Sequence, residues 1–150
     1  MKKIAVLGAG RSAGPLIEYL ATHPDASAWN VTVYDQDSEI LARKTASLAN
    51  ITVESGDLRN EDLLDRIVKM HDIVVSMLPA TMHLPVAQRC VREGKHLVTA
   101  SYISPEMQAL DAEARAKGLV FVNECGVDPG IDHMSTMEIL HRLKREGAKV

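Results

Sequence analysis

The sequence predicts an α/β domain built on one doubly wound parallel sheet with helices on both faces. Three observations carry that expectation. Six short apolar runs recur along 150 residues, rich in Val, Ile and Leu and mostly without polar alternation. Strands buried on both faces of a parallel sheet read this way. Stretches with helical spacing separate them, and a glycine-rich turn follows the first run. Strands alternating with helices imply right-handed βαβ units, and the expected strand order is 3-2-1-4-5-6.

The elements follow in order. KIAVLG at 3–8 is the first strand, and the helix after it stops before Pro24. VTVYD at 31–35 is the second strand; Asp37 or Ser38 can cap the next helix. ITVES at 51–55 is the third. The pairs Leu63/Ile67 and Leu64/Val68 lie four residues apart on the helix after it. DIVVSML at 72–78 is the fourth strand, followed by a stripe of Leu84, Ala87 and Val91 that Gly94 ends. HLVTA at 96–100 is the fifth. Ser104 then reads as an N-cap with Pro105 at the first helical position, and Met107, Leu110 and Ala114 continue one helix up to Gly118. LVFVN at 119–123 is the sixth strand, and a last helix holds Met137 and Leu140.

Composition narrows the function classes. Apolar residues are 46% and charged residues 25%, an ordinary globular balance. A net charge of −3 gives no electrostatic footprint for nucleic acid or an anionic membrane, and 3% aromatics disfavour base-stacking surfaces. No apolar stretch is long enough to span a membrane. The start, MKKIAVLGAG, runs into glycines and reads as a buried strand rather than a leader. Two cysteines, Cys90 and Cys125, make no disulfide framework, so reduced thiols and a cytoplasmic setting are expected. No His/Cys/Asp cluster has metal-ligand spacing, so no metal is expected.

The first chemical signal is GAGRSAGP at 8–15. Gly8-x-Gly10-x-x-Ala13, between a strand and a helix, matches the dinucleotide fingerprint with alanine in the third place. Gly8 makes the tight turn, Gly10 lets the backbone approach a pyrophosphate, and Ala13 permits close helix–strand packing. The pyrophosphate sits on the free N–H groups of the first helix. Asp35, ending the second strand, suits the two ribose hydroxyls of NAD and repels the 2′-phosphate of NADP. Gln36, Asp37 and Ser38 supply no arginine; Arg43 and Lys44 come only later. NAD is therefore expected over NADP. Asp57 either faces the adenine or begins a turn. This half alone is also similar to the nucleotide-sensing regulatory domains of potassium channels and transporters.

Ser76, Met77, Leu78 and Pro79 follow the fourth strand, and Ala100, Ser101 and Tyr102 end the fifth. NECGVDPGIDHM at 123–134 ends the sixth. Three strand ends thus bring polar groups to one carboxyl-end rim, where open α/β sheets bind ligands. VTASYISPEM, NECGVDPGIDHM and the spacing between them resemble saccharopine dehydrogenase of the glutamate-forming type, and the resemblance spans nearly the whole chain. It implies a Rossmann domain over 1–132, with 133–150 starting the connection to a substrate and dimerisation domain that lies beyond the chain. It further implies a homodimer at full length, an amino-acid substrate, and little turnover by this chain alone. The implied activity is oxidative cleavage of saccharopine to glutamate and 2-aminoadipate semialdehyde.

By the same resemblance Ser101 and Asp128 are the catalytic candidates. Ser101, Tyr102, Asp128, Pro129 and Gly130 face the substrate, with Asp128 toward its amine. Gly8, Gly10, Arg11, Ser12, Ala13, Asp35, Asp57, Leu58, Leu78 and Pro79 hold the cofactor, with Gly126, Val127 and His133 at its nicotinamide end. Relatives in lysine biosynthesis use NADP and carry a basic residue after the second strand, where this chain has Asp35 and Gln36. A carboxynorspermidine-type relative shares the sheet and the reaction type. From the residues alone, Asp132 is expected to cap the last helix, Cys125 to pack as a thiol, Glu124 to act as base or loop anchor, and His83 to line the cleft or stand exposed.

Overall fold

A computed structural model describes residues 1–48 and 50–149. Six parallel strands form one sheet in the order β3-β2-β1-β4-β5-β6. They are β1 (Lys2–Leu7), β2 (Trp29–Asp35), β3 (Ile51–Ser55), β4 (Ile73–Ser76), β5 (His96–Thr99) and β6 (Phe121–Val122). The helices are α1 (Ala13–Thr22), α2 (Ser38–Thr45), α3 (Glu61–Met70), α4 (His83–Glu93), α5 (Pro105–Gln108), α6 (Asp111–Ala116) and α7 (Ile131–Arg145). The predicted order and layering are therefore observed.

Strand β1 shows why the sheet must be covered twice. Ile4 and Val6 point into one core with Ala13 and Ile17 of α1 and Leu41 of α2. Ala5 and Leu7 point into the other, with Leu64, Ile67 and Val68 of α3 and Val86, Ala87 and Cys90 of α4. Successive side chains on a strand alternate faces, so an all-apolar run needs a helix on each side. Arg89, only 13% exposed in its side chain, joins α4 to α3 through Asp65 at 2.5 Å.

Several expectations shift. The edge strands are not buried on both faces: β3 leaves Val53 43% exposed, and β6 shrinks to two residues. An edge lacks a neighbour on one side, so its apolar run is only half covered. The fourth-strand run 72–78 is trimmed to Ile73–Ser76, because Met77 already turns into the cleft. The single fifth helix is broken between Gln108 and Asp111 into α5 and α6, although Ser104 caps it as expected by accepting from Met107 N–H at 3.2 Å. Asp37 caps α2, accepting from Glu39 and Ile40 N–H, which leaves Asp35 for another task. Asp132 does not cap α7. Gly130 holds that position, and the Asp132 carboxylate reaches back two residues to accept from Gly130 N–H at 3.0 Å.

The last helix stands apart. None of its residues is buried, and Ile131, Met134, Met137 and Ile139 are exposed. Among the described residues no helix is long and apolar enough to cross a membrane.

Two buried histidines give the fold a pH dependence. His71 lies under Tyr34 with its Nδ1 2.8 Å from Ile67 O, and His83 opens α4. Both are 4% exposed, and burial pushes both imidazoles below their ordinary 6.5. The unfolded chain then binds more protons than the folded one. Stability is full above the unfolded value and declines as pH falls from about 6.5 through the lower folded values. The urea midpoint is expected to drop between about pH 7 and pH 5. His71→Gln should flatten part of that slope in parallel unfolding curves.

Candidate active site

The site begins at the turn after β1. Gly8 has φ +95°, a conformation that side chains strain to adopt, and its N–H donates to Tyr34 O at 2.8 Å. A Cβ there would lie 3.0 Å from Met77 O, so the loop can pack on the end of β4 only as glycine. Gly10 faces open space, with nothing within 4 Å of a built Cβ. Ala13 is fully buried beneath the loop. A small-residue loop with its outer face open, leading into a helix N-terminus, fits a pyrophosphate.

Asp35 is tied into this loop. Its Oδ2 accepts from Ala9 N–H at 2.6 Å, and its Oδ1 accepts from Asp37 N–H at 3.0 Å. The carboxylate thus stands at the cleft while fixing the glycine turn, a dual role that sequence position did not reveal. Lys44, from α2, donates to Gly10 O and brings a cation to the same loop. Asp57 begins a turn, accepting from Arg59 N–H at 2.9 Å, and it also lines the cleft. Arg59 clasps the Asp57 carboxylate through Nε and Nη2, and that partner holds the Asp57 carboxyl below the usual range. Together Gly8, Gly10, Asp35, Asp57, Leu58 and Arg59 border a cleft of about 280 Å³ closed on the far side by Leu78 and Pro79.

A second cavity of about 820 Å³ continues from it, sharing Met77 and Leu78. Ser12, Ser101, Tyr102, Gly126, Val127, Asp128 and Pro129 border this one. Its far wall is the segment 123–131, folded back on itself. Gly126 N–H donates to Pro129 O at 2.9 Å, and Ile131 N–H donates to Gly126 O at 3.0 Å. The Asp128–Pro129 peptide is cis. Glu124 accepts from Ile103 N–H at 3.1 Å and ties this segment to the loop after β5, so it is the loop anchor.

Tyr102 donates its hydroxyl to Asp128 Oδ1. That bond to a carboxylate pushes the Tyr102 phenol up to about 12, so it stays protonated and donates to Asp128. His83, left open between cleft and surface by the sequence, is buried. Its Nδ1 lies 2.9 Å from Ser76 Oγ and its Nε2 lies 2.8 Å from Ser101 Oγ. Linear spacing could not bring Ser76, His83 and Ser101 together; they come from the end of β4, the start of α4 and the loop after β5.

Arg11, Gly130 and His133 fall outside the two linings. Arg11 is exposed on the loop, and Gly130 sits behind the turn. His133 is exposed, 2.9 Å from Asp132 Oδ1, with its ring edge-on to Tyr102 at 6.4 Å between centroids. Cys125 is exposed rather than packed, because the folded-back turn holds it at the cavity wall. Buried Cys90 is the packed thiol, raised to about 12 by burial and inert. Asp128, Asp132 and His133, close together in sequence, bring ligand-type atoms within 4.8 Å of one another, so the expectation that no His/Cys/Asp cluster has ligand spacing does not hold. These carboxylates already accept from Tyr102, Gly130 and His133, so the group is not assigned to a metal.

Comparison with known proteins gives a consistent family. The family model described as the saccharopine dehydrogenase NADP binding domain matches residues 4–122. The chain is 34% identical over 149 residues to saccharopine dehydrogenase [NADP(+), L-glutamate-forming] of Pyricularia oryzae, covering 99% of this chain and 32% of that protein. It is 34% identical to the mitochondrial alpha-aminoadipic semialdehyde synthase of Rattus norvegicus, covering 99% of this chain and 16% of the relative. The solved apo saccharopine dehydrogenase (L-Glu forming) of Saccharomyces cerevisiae superposes with a TM-score of 0.82 at 32% identity, over 98% of this chain and 32% of that one. The chain therefore spans about a third of the fungal relatives and a sixth of the rat synthase.

Proposed function

The chain belongs to the saccharopine dehydrogenase NADP-binding domain family, and on that premise we propose that it is the cofactor-binding part of an oxidoreductase acting on saccharopine. The observation that carries the reading is the joining of two clefts at one sheet edge. The glycine loop opens the smaller, Ser101, Tyr102 and Asp128 border the larger, and Met77 and Leu78 belong to both. A dinucleotide laid from Asp35 across Gly10 toward Gly126 enters the cavity that would hold the substrate.

The bound nicotinamide supplies the hydride acceptor. Saccharopine, water and the oxidised nicotinamide would give glutamate, 2-aminoadipate semialdehyde, the reduced nicotinamide and a proton. Asp128 presents a carboxylate where the substrate amine gains positive charge, and Tyr102 holds that carboxylate in place. Ser101 meets a polar group of the substrate. Val127 and Ile131 border the larger cavity and Met134 and Met137 are exposed on α7; the rest of a longer protein would cover these apolar residues in a homodimer set in the cytoplasm.

For the cofactor, the family likeness favours NADP, while Asp35 opposes a 2′-phosphate. Arg59, in the same cleft but clasped to Asp57, could meet a 2′-phosphate only by giving up that pair, and Lys44 adds a second cation nearby. Saccharopine oxidation followed with NAD and with NADP in the full-length protein tests the reading. Turnover supports it; none with either, alongside tight dinucleotide binding, would overturn the substrate assignment. Asp35→Ala should shift the NADP-to-NAD affinity ratio toward NADP by about tenfold, the change expected for removing one close like charge. An unchanged ratio in paired titrations would remove Asp35 from cofactor choice.

A further inference from the structure

Three buried or half-buried polar groups form a chain that the reaction as described does not use. Ser76 is fully buried, His83 is 4% exposed, and Ser101 is partly exposed to the larger cavity. The contacts run Ser76 Oγ to His83 Nδ1 at 2.9 Å and His83 Nε2 to Ser101 Oγ at 2.8 Å. We propose that His83 is a positioning residue: it holds the Nε2–H tautomer, donates to Ser101 Oγ, and so turns the Ser101 hydroxyl into a fixed donor aimed at a carboxylate of the substrate.

The direction follows from the buried end. A neutral imidazole has one donor and one acceptor nitrogen. If Nδ1–H donated to Ser76, the Ser76 hydroxyl proton would need another acceptor, and among the described side-chain hydrogen bonds His83 is its sole partner. An orphaned buried donor is rarer and costlier than an under-used oxygen lone pair. Ser76 therefore donates to Nδ1, which leaves the proton on Nε2. Ser101 Oγ accepts that proton's bond, and its own O–H is free to donate into the cavity.

The chain also excludes a role as a proton wire. It ends at Ser76, which has no surface exposure, so a proton entering at Ser101 has no exit. Orientation is what it can supply. The division of labour at the rim then becomes chemical: the Asp128 carboxylate suits the cationic amine, and the Ser101 donor suits an anionic carboxylate. Tyr102, its hydroxyl committed to Asp128, cannot take over the Ser101 role.

This inference rests on the reading that Ser101 faces an amino-acid substrate, so the test separates the two. Side-chain nitrogen NMR of the 150-residue protein reads the His83 tautomer directly, and three-bond couplings read the Ser101 χ1 angle. Nε2 protonated, Nδ1 bare and a single Ser101 rotamer are expected. His83→Ala should average the rotamer, and His83→Gln, which keeps a donor near the Nε2 position, should restore it. Ser76→Ala should release the tautomer bias. A protonated Nδ1, or a Ser101 rotamer indifferent to His83→Ala, would overturn the proposal. L-Saccharopine titrated into the dinucleotide-loaded full-length protein adds the ligand arm. Its affinity should fall about tenfold in His83→Ala, the worth of roughly one hydrogen bond, and recover in His83→Gln. If the tautomer is as expected but the wild type ignores saccharopine, the hydrogen-bond chain stands and the substrate reading falls.

Discussion

Gly130→Ala should be among the most damaging single substitutions in this chain. Gly130 has φ +145°, and a Cβ on it would fall 2.2 Å from Gly126 O, 2.8 Å from Gly126 N and 2.9 Å from Glu124 O. All three are backbone atoms, so no side chain can swing aside. The turn that carries Gly126, Val127 and Asp128 must open, and its hydrogen bonds from Gly126 to Pro129 and from Ile131 to Gly126 are lost with it. Strained conformations and clashes of this kind cost about 3 kcal/mol or more. For a chain of this size that is a fall of roughly 6–12 °C in melting midpoint. Because the turn is the cavity wall, the saccharopine binding proposed above should be lost in the full-length protein even well below the new midpoint. A thermal melt and a ligand titration check both parts.

Gly8→Val should abolish dinucleotide binding at a smaller cost in stability. Its Cβ would sit 3.0 Å from Met77 O and 3.2 Å from Met77 C, on a backbone at φ +95°. Relief requires the glycine loop to move off the end of β4, which carries Ala9 away from the Asp35 carboxylate that now holds it. Both the pyrophosphate cradle and the ribose carboxylate are displaced together. A loss of at least about 100-fold in affinity, near 2.7 kcal/mol, is expected. Calorimetry at a temperature where both proteins are fully folded separates this from unfolding. Retained affinity would mean that the loop does not hold the ligand.

How much was legible in the sequence depended on how local the signal was. Strand order, the two helix layers, the Ser104 cap and the glycine turn each rest on periodicity or on a few adjacent residues. Those were readable. The resemblance in VTASYISPEM and NECGVDPGIDHM pointed to the family before any fold was in view. Edge effects were not readable, since nothing in ITVES or LVFVN says which strand has no neighbour. The Asp132 cap failed because Asp–Pro–Gly folds the chain back so that Gly130 takes the helix start. The Lys44 contact with Gly10 and the Ser76–His83–Ser101 chain were hidden for a plainer reason. Their partners lie on separate elements and meet only when the sheet orders its strand ends along one rim.

The most direct measurement is a titration of NAD and NADP into the nitrogen-labelled 150-residue protein, followed by amide NMR. Saturable shifts at Gly8, Gly10, Asp35, Asp57, Leu58 and Leu78, extending to Gly126 and lost in Gly8→Val, are the predicted result. No saturable response to either dinucleotide would contradict the assignment of the cleft. So would shifts centred elsewhere, such as the groove bordered by Met107, Asp111, Arg115 and Phe121.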